Sequence, residues 1–128
     1  MSLELPHFPM YSEALLDHFQ NPRNVGELPA PAVTAEVMNP ACGDIMRLSV
    51  LFEAGVLASV GYKTRGCTAS IAAGSALTEI IKGRKRNDLQ GITAKAIEDA
   101  LGGLAPESRH AAVLAIDALK AVLRSEMK

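Results

Sequence analysis

The sequence predicts an α+β fold, a three-stranded antiparallel sheet with helices packed on one face. Three observations carry this. Apolar residues recur at helical spacing first, then at strand spacing, then at helical spacing again, giving the order helix, three strands, three helices. Only Glu53-Ala54-Gly55 separates the second strand from the third, so those two form a hairpin. The helix that follows is lined with small residues, which let a helix approach another backbone closely.

Each element has a local cause. Ser12 caps a first helix from Glu13 to Gln20, with Tyr11, Leu15, Leu16 and Phe19 as its apolar side. Asn21-Pro22 stops it, because proline disfavours helical geometry in the residue before it. Gly26 to Pro31 reads as loop. The first strand runs from Val33 to Asn39 and ends at Asn39-Pro40. Met46 to Phe52 is the second, with Met46, Leu48, Val50 and Phe52 on one face, and Val56 to Thr64 is the third. After Gly66 a helix spans Thr68 to Lys82, despite the roughly 1 kcal/mol that Gly74 costs against alanine in helix propensity. Thr93 to Leu101 makes a shorter helix. Pro106 enters the first turn of a last one, which runs to Arg124 with Ala112, Ile116, Leu119 and Leu123 buried and Val113 and Val122 at the margins.

Composition narrows the function. At 128 residues and 48% hydrophobic, the chain is read as one globular domain over 1–128, with a loosely ordered tail over 1–9. A net charge of −1 argues against a nucleic-acid binder, which needs a basic surplus. The basic cluster from Lys82 to Arg86 reads as a solvated helix end, with a docking patch for an acidic partner as the alternative. No apolar run is long enough to span a membrane, and Met1 to Pro9 does not read as a secretory signal. Two cysteines without such a signal point to reduced thiols and a cytoplasmic setting. There is no phosphate-cradling glycine loop and no Cys-x-x-Cys, so the chain is not expected to be an enzyme. His7 and His18, in the tail and the first helix, are read as solvated or structural.

The chemistry-bearing residues are Cys42, Asp44, Cys67 and His110. Cys42 stands in the turn Asn39-Pro40-Ala41-Cys42-Gly43-Asp44. There Gly43 lets the backbone bend away and leaves the sulfur accessible, and Asp44 can aim a carboxylate at the same point. Cys67 follows Lys63, Arg65 and Gly66 at a helix start, where cations and the helix N-terminus favour thiolate; a capping residue packed under the turn is the plainer reading. His110 lies early in the last helix, where a solvated histidine is the ordinary case. Together the four supply two sulfurs, one oxygen and one nitrogen, a tetrahedral set for a metal.

Three segments in order resemble the U-type iron–sulfur cluster scaffolds, the IscU and NifU N-terminal domain family. They are Tyr11 through Gly26, then Asn39 to Asp44, then Gly66 to Ala72 continuing to Leu77-Thr78-Glu79 and Lys82-Gly83. The resemblance implies a SufE/NifU-like fold and a scaffold that builds a [2Fe–2S] cluster or binds Zn2+. It also implies partners in a cysteine desulfurase and apo iron–sulfur proteins. The family's first cysteine, aspartate, second cysteine and histidine fall on Cys42, Asp44, Cys67 and His110.

Two departures follow. The third family cysteine, directly after the histidine, is Ala111 here. The segment that a heat-shock-type chaperone reads in many members is Leu104-Ala105-Pro106-Glu107-Ser108, so that partner is not expected. Fewer thiolates weaken iron–sulfur affinity and suit zinc at least as well. A SufE-like persulfide carrier using Cys42 or Cys67 is the first alternative, and a non-catalytic interaction protein that keeps the fold is the second.

Overall fold

The computed structural model describes residues 11–126; the tail expected over 1–9, with His7, lies outside them. Strands β1 (Val33–Met38), β2 (Ile45–Glu53) and β3 (Val56–Arg65) form one antiparallel sheet in the order β1-β2-β3. Helices α1 (Glu13–Gln20), α2 (Thr68–Ile81), α3 (Arg86–Leu89), α4 (Ala94–Ala100) and α5 (Arg109–Glu126) complete it, with a single 3-10 turn at Pro106–Ser108 leading into α5. Helix α5 lies across β1 and β2, and α2 packs on β3 and on α1, α4 and α5. The expected layering is present. Among the described residues no helix is long and apolar enough to cross a membrane.

The turn between β2 and β3 is tighter than expected. Glu53 stays in the strand, and Ala54 and Gly55 alone make the turn, with φ of 54° and 80°. Left-handed geometry at both central residues matches the twist of the flanking strands. Met46, Leu48 and Val50 are fully buried, facing the helices. Phe52 follows them as a partly buried residue packed against the core, and the irregularity at Leu51/Phe52 leaves Ala58 of β3 without a partner on β2. The Phe52 ring also lies under the Arg86 guanidinium, 4.1 Å from centroid to Cζ. On the open face Arg47 is paired with Glu27 and Glu36. Asn24 and Gly26 hydrogen-bond to Tyr62 and cover the outer edge of β3.

Ser12 caps α1 as predicted, accepting from the Leu15 N–H at 3.0 Å, and its hydroxyl donates to the Leu101 carbonyl at the end of α4. The buried side of α1 differs from the prediction. Leu15 and His18 face inward, while Leu16 and Phe19 remain more than a third exposed. His18 can be buried because its Nδ1 meets the Ser75 hydroxyl at 2.7 Å and its Nε2 lies 3.6 Å from Glu79. Burial, with Arg23 nearby, holds its pKa below the usual histidine value. It is a structural histidine.

Helix α2 is buried almost all round, from Ala69 and Ser70 through Ala76 to Ile81, which its small residues make possible. The basic cluster beyond it divides. Arg84 Nε donates to the Ile80 carbonyl at 2.6 Å, as expected for a helix end. Arg86 pairs with Glu126 at 2.9 Å and opens the short helix α3, which lacks enough residues to show a period in sequence. In α5 the buried stripe is broader than predicted. Ala111, Leu114, Ala115, Ala118 and Val122 join Ala112, Ile116 and Leu119, whereas Val113 is half exposed and Leu123 only partly buried.

Candidate metal centre

The turn between β1 and β2 sets Cys42 and Asp44. The Asn39 N–H donates to the Asp44 carbonyl at 2.8 Å, the Gly43 N–H to the Asn39 carbonyl at 2.7 Å, and the Ala41 N–H to Asn39 Oδ1 at 2.9 Å. Gly43 takes a φ of +80°, which glycine adopts without strain. The result leaves Cys42 exposed and turns the Asp44 carboxylate inward. Cys67 occupies the N-cap of α2 but makes no side-chain cap bond, and it too is exposed. Lys63 and Arg65, the cations before it in sequence, line a depression on the sheet with Glu36, Ile45 and Arg47.

These side chains meet His110 at the start of α5. One donor atom each from Cys42, Asp44 and His110 lie within 4.8 Å of one another. Cys67 is adjacent: its Sγ is 3.8 Å from His110 Nε2, and its N–H donates to Asp44 Oδ2 at 3.4 Å. His110 Nε2 is also 3.8 Å from Asp44 Oδ2. Three of the four residues singled out in the sequence, Cys42, Asp44 and His110, therefore converge, and Cys67 stands beside them in contact with His110. The imidazole is already oriented, because His110 Nδ1 sits 3.0 Å from the Glu107 carbonyl oxygen. A carbonyl only accepts, so Nδ1 carries a proton and Nε2 is the ring nitrogen turned to the cluster.

Asp44 is nearly buried, and burial alone would raise its pKa. Hydrogen bonds from Ser70, Cys67 and Cys42 outweigh this and hold the carboxyl below its ordinary value, so it stands ready as an anion. Two sulfurs, an oxygen and a nitrogen suit zinc, or iron within a small cluster. Ala111, where the family pattern has a third cysteine, is fully buried in the core.

Sequence reasoning missed three contributors. Ser70 donates to Asp44 Oδ2 at 2.6 Å and lies 3.3 Å from Cys67 Sγ, yet in sequence it is one small residue in a run of them. Its spacing, three residues past the cysteine that caps the helix, was the available signal. Gly66 gives Asp44 its space: a Cβ there would fall 2.6 Å from the carboxylate carbon. The Glu107 carbonyl is backbone and leaves no mark in sequence.

A family model described as the NifU-like N-terminal domain matches residues 10–126. The iron–sulfur cluster assembly scaffold protein IscU of Azotobacter vinelandii is 44% identical over 118 residues, covering 89% of this chain and 91% of that protein. The scaffold protein IscU 1 of Archaeoglobus fulgidus is 40% identical over 111 residues, 87% of this chain and 72% of that protein. Among solved structures, an N-terminal NifU-like protein from Brucella abortus matches with a TM-score of 0.72 at 20% identity, over 93% of this chain and 96% of that one. At that identity the likeness speaks to fold alone.

Proposed function

Because the chain belongs to the NifU-like N-terminal domain family, we propose that it is an iron–sulfur cluster assembly scaffold whose cargo is held by Cys42, Asp44, Cys67 and His110. The cargo is a labile [2Fe–2S] cluster or a zinc ion. The observation that supports this most is the preset imidazole, with His110 Nε2 turned to the cluster and 3.8 Å from both Cys67 Sγ and Asp44 Oδ2. With Ala111 in the core, the site has two thiolates, enough for four-coordinate zinc and a weaker hold on iron and sulfide. A cysteine desulfurase would supply sulfur and apo iron–sulfur proteins would receive the cluster. The protein is then a cytoplasmic carrier without turnover of its own.

A second reading is favoured by the exposure of both thiols: a persulfide carrier that accepts sulfur without holding metal. Anaerobic reconstitution with ferrous iron and sulfide, and in a parallel sample with zinc, followed by elemental analysis and visible absorption, is expected to leave bound iron with a charge-transfer chromophore in the first or zinc alone in the second. Mass spectrometry after incubation with a desulfurase and cysteine separates the carrier, which gains sulfur and no metal. A protein that takes up neither metal nor sulfur would be an interaction module only, and the scaffold reading fails.

A further inference from the structure

We propose that Ser70 is a positioning residue that fixes Asp44 as a one-oxygen ligand and so sets how tightly the site holds its metal. This rests on the metal-binding reading above. Ser70 is fully buried on α2, where a serine ordinarily turns its hydroxyl back to a carbonyl of its own helix. Here it donates to Asp44 Oδ2, at 2.6 Å, on a separate element. The same oxygen receives the Cys67 N–H at 3.4 Å. On another side of the carboxylate lies the bare backbone of Gly66, where a Cβ would come within 2.9 Å of both oxygens. The carboxylate is thus clamped between a hydroxyl and a glycine, with Oδ2 anchored. Oδ2, the oxygen that Ser70 holds, is also the one 3.8 Å from His110 Nε2, so the held oxygen is the one presented to the site.

The clamp has a consequence for coordination. A carboxylate free to rotate can close on a metal through both oxygens; one whose Oδ2 is held offers a single oxygen and keeps the ion four-coordinate. Ser70 also reaches the sulfur. Its one hydroxyl hydrogen is committed to Asp44, so in the metal-free site Oγ faces Cys67 Sγ, 3.3 Å away, and can accept from the thiol until that proton is lost to metal binding. One buried hydroxyl therefore touches two of the four donors, as partners behind metal ligands commonly do.

Cobalt(II) tests this, since it takes similar donors and its visible absorption reports coordination number. Alanine at 70 removes one atom and favours the helix, so Ser70→Ala keeps the fold. It is expected to weaken Co2+ binding by roughly 10-fold or more. The visible cobalt band should also weaken as the freed carboxylate chelates and the ion leaves four-coordination. Ser70→Thr, which keeps the hydroxyl, is expected to restore both. A residue that only packs would lower the unfolding temperature of the metal-free protein and leave the cobalt spectrum unchanged. That result, in a wild type that binds cobalt, overturns the role of Ser70 alone. A wild type that binds no cobalt overturns it together with the metal site.

Discussion

Replacing both thiols, Cys42→Ala with Cys67→Ala, is expected to abolish stoichiometric metal uptake while lowering folding stability by no more than about 1–2 kcal/mol, the loss of the thiol hydrogen bonds to Asp44. Both cysteines are exposed, so neither contributes core packing whose loss would unfold the chain. What remains is Asp44 and His110, two donors where four are needed for a closed tetrahedral site. Elemental analysis after reconstitution reads the first quantity and urea unfolding the second. A variant that still carries one metal per chain would put ligation elsewhere. One that loses metal because it no longer folds would show it in the urea curve. The separation follows from the architecture: the donors sit on a turn, a helix cap and a helix start at the surface, while the sheet and α2 carry stability.

Enlarging residue 74 acts in the opposite way, on the fold first. Gly74→Leu is expected to destabilise the protein by about 3 kcal/mol or more. Even a bare Cβ at Gly74 would stand 2.5 Å from Cδ2 and Cε2 of Tyr62 and 3.2 Å from the Met46 methyl. The methyl can swing aside; the ring cannot easily do so. Tyr62 is buried on β3, and its hydroxyl donates to the Ile71 carbonyl at 2.8 Å. Burial pushes its pKa up to about 12, so it stays protonated and keeps that bond across the ordinary pH range. Gly74 thus sets how closely α2 approaches the sheet. Helix propensity alone would favour replacing it, by about 1 kcal/mol for alanine. Denaturant unfolding decides between the effects, and a Gly74→Leu protein as stable as the parent would mean that Tyr62 yields.

How legible the fold was depends on the element. The strands and long helices were readable because their apolar spacing repeats over enough residues to fix a period. The alternation from Met46 through Leu48 and Val50 holds to Phe52, which packs partly buried against the core, while the irregularity opposite it, at Ala58, has no compositional mark. In α5 the buried face includes four alanines, and the weak hydropathy of three of them, Ala111, Ala115 and Ala118, hid the stripe's width. His18 was buried by partners 57 and 61 residues away, which no local pattern shows. In the candidate site, Cys42 with Asp44 was visible as a turn and Cys67 as a helix start. Nothing local joined His110 to them; only the family resemblance did. Ser70 was hidden because its role depends on where Asp44 comes to lie.

X-ray absorption on the zinc-loaded protein tests the four-donor site most directly, because it counts the atoms bound to the ion. Cys42, Cys67, Asp44 and His110 predict two sulfurs at about 2.3 Å and two nitrogen or oxygen atoms at about 2.0–2.2 Å. A shell without sulfur, or one whose two sulfurs persist in the Cys42→Ala, Cys67→Ala protein, would contradict it.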